Sequence, residues 1–232
     1  MLVIRRSADR GFADHGWLQS RHTFSFAGYH DPAHMGFRSL RVMNEDRVAP
    51  GHGFDTHPHR DMEIVTYVLE GALRHRDSLG TTEILGAGEL QRMSAGTGVE
   101  HSELNASATE PVHFYQIWIR PLATGAPPGY EQRAFARDGR ADRFQLVASP
   151  QGEDGALRIG QDARIWLADL SRGARLALPS QDHPHAWLQV LRGSVSIAGE
   201  RLDAGDGAQI SGIEHAEIVG ESTSEIMLFQ LR

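Results

Sequence analysis

The chain is predicted to be all-β: two tandem antiparallel β-barrels of the double-stranded β-helix, or jelly-roll, type. Three observations lead there. Short alternating runs recur between glycine-rich turns, no amphipathic helix longer than two turns is visible, and the second half weakly repeats the first. The expected domains are residues 1–135 and 136–232.

The runs come in order along the chain. Val65-Thr66-Tyr67-Val68-Leu69 leads into the turn Glu70-Gly71, and His113 to Ile119 alternates polar and apolar. Pro121 to Gly129 is rich in Pro and Gly, cannot hold a strand ladder, and reads as the linker. Beyond it, Trp187 to Leu191 leads into Arg192-Gly193, Ser194 to Ile197 runs up to another turn, and Glu225 to Leu231 closes the chain. The repeat aligns Tyr67–Gly71 with Gln189–Gly193, Gly86-Ala-Gly88 with Asp203-Ala-Gly205, and Val99-Glu-His101-Ser-Glu103 with Ile213-Glu-His215-Ala-Glu217.

Composition removes several chemistries. There is no Cys, hence no thiolate nucleophile and no thiolate metal site. There is no Lys either: all 23 Lys-plus-Arg positions are Arg, which excludes Schiff-base catalysis and a phosphate-loop lysine. A net charge of −7 lacks the basic footprint of a nucleic-acid binder. No apolar run is long enough to span a bilayer, and the first residues lack a signal-peptide core, so the expected location is the cytoplasm. His, carboxylate, hydroxyl and a metal remain for catalysis.

Two ligand-like pairs stand out, His57-Pro58-His59 and His101-Ser102-Glu103. Residues i and i+2 of a strand point to one face. If the two strands pair, three imidazoles and a carboxylate meet. Three nitrogens and an oxygen suit Fe, Mn, Ni, Co, Cu or Zn rather than Ca or Mg. Four protein donors leave an octahedral ion two open positions, enough for a substrate oxygen and O2.

Gly51-x5-His57-x-His59 resembles the first cupin motif, with Gly71 as its closing glycine, and Gly88 to Asn105 resembles the second. There are two departures. The cupin glutamate falls one residue early, at Glu63, and Ser94-Ala-Gly-Thr-Gly-Val-Glu-His101 is longer than the usual approach to the third His. With these departures, the segments His22-Thr-Phe-Ser-Phe26, Asp31-Pro32, Asn44-Glu-Asp46, Thr56 to Ile64, Ser94 to Gly98 and Tyr115-Gln-Ile-Trp118 resemble the pirin family, densely from about residue 5 to 135. The resemblance implies a bicupin whose N-terminal barrel binds one divalent transition metal, Fe2+ first and Mn, Ni, Co, Cu or Zn as alternatives. The matching ligand positions are His57, His59, His101 and Glu103. It implies a dioxygenase that opens the central ring of a flavonol such as quercetin with O2 and releases CO, with Glu103 also the base for the 3-hydroxyl proton. The alternative it leaves open is a non-enzymatic, iron-dependent redox sensor read by a protein partner. The expected partners are thus a small aromatic substrate and O2, with no membrane or direct nucleic acid.

The remaining candidates are weighed against plainer roles. Glu63 is expected to support a ligand or do nothing, rather than bind metal. His52, His75 and His113 are read as structural, Asn105 as closing a turn. Phe24, Phe26 and Trp118 are candidates for an apolar pocket, with packing expected for at least two. His183, His185, His215 and Glu217 mimic the first site, but His59 lies twelve residues before Gly71 and His185 only eight before Gly193. Four residues of offset is roughly 13 Å of strand, so the second barrel is expected to hold no metal.

Overall fold

The computed structural model describes residues 1–179, 182–212 and 216–232. They fall into two compact units, each a jelly-roll sandwich of a large and a small antiparallel sheet rather than a closed barrel. No helix among the described residues is long and apolar enough to cross a membrane.

The first unit comprises Gly11–Phe135 with Leu157–Gln161. Its large sheet runs, in spatial order, Gly129–Ala134, Glu89–Ser94, Glu63–Glu70, Val112–Ile119, Leu40–Val48, Leu18–His22 and Gly11–Asp14. Its small sheet runs Gly53–His59, Val99–Asn105, Ala72–Asp77 and Thr82–Gly86. Strand alternation explains what lies between the sheets. On Glu63–Glu70 the alternate positions Ile64, Thr66 and Val68 share a face; on Val112–Ile119 they are Phe114, Gln116 and Trp118. Val68 and Phe114 join one apolar cluster with Leu73, Leu85 and Val112. Ile64 joins another with Met93 and Val99, and Trp118 packs against it. The polar side chains sit between the two clusters.

Register turns these polar positions into a row. Thr66 lies opposite Gln116 on one side and Gln91 on the other. Gln91 lies opposite Gln132, Gln116 opposite Asn44, and Asn44 opposite His22. Six strands thus contribute one polar side chain each at the same level.

The small sheet comes close together at Gly53. A Cβ there would lie 2.3 Å from the Glu103 carbonyl oxygen and 2.5 Å from Leu104 Cα. Both contacts are backbone, so they cannot give way cheaply. Gly53→Ala is expected to destabilise the protein by about 1–3 kcal/mol, read as a lower urea midpoint with an unchanged slope. An unchanged midpoint would contradict the close approach.

The second unit comprises Met1–Arg10, Ala136–Ala156 and Asp162–Arg232. Its large sheet runs Leu2–Arg5, Gly207–Ser211, His185–Arg192, Ser224–Leu231, Ala163–Leu170 and Gln145–Ser149; its small sheet runs Arg175–Ala177, Glu217–Gly220, Ser194–Ile197 and Glu200–Asp203. Residues 1–10 and 157–161 therefore depart from the division at 135/136. The reason for the first is strand pairing: Leu2–Arg5 joins Gly207–Ser211 and covers an edge whose backbone groups would otherwise be open. In the first unit Gly129–Ala134 does the same for Glu89–Ser94.

The repeat is strand by strand. Gly71 and Gly193, at φ +76 and +72, make the same left-handed turn. Counting from them aligns the interiors. Thr66, five before Gly71, matches Leu188, which lies opposite Leu228 and Ala208. His75, four after Gly71, lies opposite Glu103; Ile197, four after Gly193, lies opposite Ile218. The polar row of the first unit is apolar in the second, where these residues join one core cluster. The aligned position for Glu103 is Ile218, one residue beyond the Glu217 that sequence similarity picks out. One residue of slip exchanges the two faces of a strand, and Glu217 is exposed.

Candidate metal centre

Strand pairing brings the two ligand-like motifs together. His101 lies opposite His57, and Val99 opposite His59. The ladder shifts between His101 and Glu103, so Glu103 lies opposite Phe54. The imidazole centroids of His57, His59 and His101 are 4.5, 4.8 and 4.9 Å apart, and one donor atom from each lies within 4.8 Å of the others. A second set, His75, His101 and Glu103, meets the same limit and shares His101. Glu63 is in neither.

The ring nitrogens are placed to serve as donors. His57 Nδ1–H donates to the Asp55 carbonyl at 2.7 Å, leaving Nε2 with its lone pair. His101 is almost wholly buried, and neither of its ring nitrogens has a hydrogen-bond partner. Burial, reinforced by His57 and His75, pushes its pKa down to about 3. Burial, reinforced by His101 and His57, takes His59 to about 4, against an opposing pull from Glu103.

Glu103 is fully buried and fixed from the opposite sheet. Gln91 Nε2 donates to Oε1 at 2.8 Å, Gln116 Nε2 donates to Oε2 at 2.6 Å, and the Thr66 hydroxyl lies 3.3 Å from Oε1. The two amides are themselves oriented. The Thr66 hydroxyl donates to Gln116 Oε1 at 3.0 Å, and the single Tyr130 hydroxyl proton is shared between Gln132 Oε1 at 2.7 Å and Gln91 Oε1 at 3.0 Å, so each amide presents its N–H2 to Glu103. Burial, with nearby acids behind it, pushes the Tyr130 phenol upward, so it stays neutral. Among the described residues Glu103 has no cationic partner. A buried carboxylate beside unpaired, neutral imidazole nitrogens is the environment a divalent cation relieves, so the residues present fit a transition metal.

The other candidates separate. Glu63 accepts a hydrogen bond from Ser94 Oγ at 2.8 Å. Asn105 closes a turn, donating to the carbonyls of Val48 and Glu110 and accepting from Ser107 N–H. His113 pairs with Glu45, and His52 stacks on Trp17. Phe24 is core, whereas Phe26 packs edge-on against Trp118, and Trp118 against His59. Phe26 also lines a cavity of about 470 Å3 with Phe12, Tyr29 and Phe54 and the polar His22 and Asn44. Asn44 is the row neighbour of Gln116, and Phe54 the ladder partner of Glu103, but none of His57, His59, His101 and Glu103 lines this cavity; His59 lines a separate one of about 400 Å3 with Pro58, Arg60 and Val99. In the second unit His183 pairs with Asp162 and His185 with Ser211, while His215 lies outside the described residues.

The sequence did not reveal Thr66, Gln91, Gln116 and Tyr130, or that His75 faces Glu103. A usable signal was present: His75 and Thr66 are polar where the glycine-aligned repeat has Ile197 and Leu188.

The two low imidazole pKa values set a pH dependence. In the unfolded chain a histidine protonates near pH 6.5, whereas these two resist until about 4 and 3. Below pH 6.5 the unfolded state therefore binds protons that the folded metal-free state refuses, and stability falls with pH from there down. The Tm of metal-free protein should be lower at pH 5 than at pH 7. The fall should be smaller in a variant lacking His59 and His101; an equal fall would place its origin elsewhere.

Two cupin sandwiches, one with a His/Glu metal site, define a bicupin metalloprotein. The chain belongs to the pirin family: the pirin family model matches residues 4–119, and a quercetinase C-terminal cupin domain model matches residues 146–231. It is 47% identical over 232 residues to the Escherichia coli K12 protein called quercetin 2,3-dioxygenase, covering 100% of this chain and 99% of that one. The crystal structure of the E. coli bacterial pirin YhhW in complex with nickel(II) superposes with a TM-score of 0.95 at 47% identity, covering 100% and 99% of the two chains. E. coli YhaK is 30% identical with a TM-score of 0.77, covering 95% of this chain and 97% of its own.

Proposed function

We propose that the protein opens the central ring of a flavonol such as quercetin with O2, releasing CO, at one divalent metal ion held by His57, His59, His101 and Glu103. Iron is the metal we assign. The observation that carries this reading is the buried, amide-clamped Glu103 carboxylate among imidazoles with free lone pairs, with its ladder partner Phe54 lining an aromatic cavity. The cavity has the size and character of a small-molecule site, mostly apolar with a few placed polar groups. The name of the E. coli relative supports the substrate class.

An ion held by these residues would supply Lewis acidity that eases loss of the flavonol 3-hydroxyl proton. Glu103 takes that proton. Gln91 and Gln116 keep its carboxylate aimed while the proton moves. Phe26, Tyr29 and Phe54 offer ring faces to a flat substrate and displace water from it, and His22 and Asn44 offer it hydrogen bonds.

The test is O2 uptake with CO detection, comparing metal-stripped and iron-loaded protein with quercetin present. Uptake with matching CO release is expected only with metal. If no uptake above the metal-free control occurs with Fe, Mn, Ni, Co or Cu, the dioxygenase reading fails and the redox-sensor reading takes its place.

A further inference from the structure

We propose that His75 is an additional metal donor, giving the centre a second, inner binding mode made of His75, His101 and Glu103. This rests on the metal-centre reading and extends it to a residue outside the two sequence motifs.

His75 is wholly buried. Its Nε2–H donates to Asp77 Oδ2 at 3.0 Å. Asp77 is fixed as an acceptor, because its Oδ1 takes the backbone N–H groups of Leu79 and Thr81 at 2.9 and 3.0 Å. In the neutral ring the proton bonded to Asp77 sits on Nε2, and Nδ1 has the lone pair. That nitrogen is buried and has no hydrogen-bond partner. A donor atom of His75 lies within 4.8 Å of those of His101 and Glu103.

An imidazole that gives one N–H to a carboxylate and keeps its other nitrogen unpartnered is the arrangement in which histidines bind metal ions. The ring is also held in place: Tyr130 stacks on it at 4.5 Å and 26°. Packing alone does not require a histidine here. The matching pair in the second unit is Ile197 opposite Ile218, and there the sandwich closes over apolar side chains. In the first unit the same two positions hold a histidine and a glutamate that face each other.

Both donor sets use His101, so the chain holds one ion in either of two places. His57 and His59 are half-buried, whereas His75, His101 and Glu103 are enclosed. The ligand class is a single divalent cation that accepts imidazole and carboxylate, such as Co, Ni, Zn or Fe.

The experiment uses Co(II) alone, titrated into metal-stripped full-length protein, with visible absorption and elemental analysis as readouts and circular dichroism as a check on folding. Wild type is expected to take up one Co(II) per chain. His57→Ala/His59→Ala, which removes the outer set, is expected to keep one Co(II) with affinity weakened roughly 10²-fold or more. Adding His75→Ile, which copies the second unit, is expected to abolish that uptake. Adding Asp77→Asn instead is expected to weaken it about 10–100-fold, and this variant decides the matter if the isoleucine protein does not fold. If wild type binds Co(II) and the His57/His59 variant binds none, or if its uptake survives both His75→Ile and Asp77→Asn unchanged, the inner mode is overturned and the outer centre stands. If wild type itself binds none, both readings fall.

Discussion

His101→Leu is expected to abolish metal uptake and O2 consumption while raising the thermal stability of the metal-free protein. The two effects have one cause. His101 is buried with both ring nitrogens unpartnered, and an unsatisfied buried polar group costs about 1–3 kcal/mol. Leucine has a similar volume and nothing to satisfy, so the metal-free fold gains on the order of a few degrees in Tm. The same replacement removes the donor common to both His57/His59/His101 and His75/His101/Glu103, leaving neither set complete. Since altering a residue behind a ligand typically costs about 10–100-fold in metal affinity, loss of this shared ligand exceeds that. Differential scanning calorimetry of stripped protein and elemental analysis of reloaded protein read the two arms separately. A variant with lowered Tm and lost metal would mean that His101 is ordinary core; a variant with full metal occupancy would remove it from the centre.

What could be read from the chain beforehand follows the range of the interactions. His57/His59 and His101/Glu103 are pairs within single strands, so period-two alternation placed them on one face before any tertiary information. The glycine turns at Gly71 and Gly193 were legible for the same local reason. The clamp on Glu103 was not. Thr66, Gln91 and Gln116 lie on three strands scattered over fifty positions, and only pairing register brings them into one row. Register also decided the second half, where sequence similarity aligned Glu217 with Glu103 and the ladder aligns Ile218 instead. His75 belongs to neither ligand-like pair, and its i+2 neighbour is Asp77. That aspartate is what leaves its second nitrogen free. The pairing of the N-terminal strand with Gly207–Ser211 is not legible in the chain, because Leu2 and Ile210, which face each other, are separated by nearly the whole chain.

Glu103→Gln is expected to cost more in turnover than in metal retention, and a second substitution separates the reasons. The three outer imidazoles still hold the ion, and a neutral amide oxygen coordinates weakly, so one metal per chain should remain. Loss of the proton acceptor should lower the rate roughly 10²–10⁴-fold. The amide also brings a structural penalty. Gln91 presents N–H2 to Oε1 and Gln116 presents N–H2 to Oε2. Whichever way a glutamine at 103 turns, its own N–H2 meets another donor. Tyr130 and Thr66 hold the two neighbouring amides against flipping, so about 1–3 kcal/mol of stability is lost with the broken hydrogen bond. Gln91→Glu placed on top of Glu103→Gln exchanges the acid and the amide across that 2.8 Å hydrogen bond. It gives the new amide an acceptor, while the carboxylate moves one strand away from the reacting hydroxyl. The double variant should therefore recover Tm and not turnover. If turnover returns together with Tm, the loss in the single variant came from a disordered site, and a group other than the carboxylate at position 103 takes the proton.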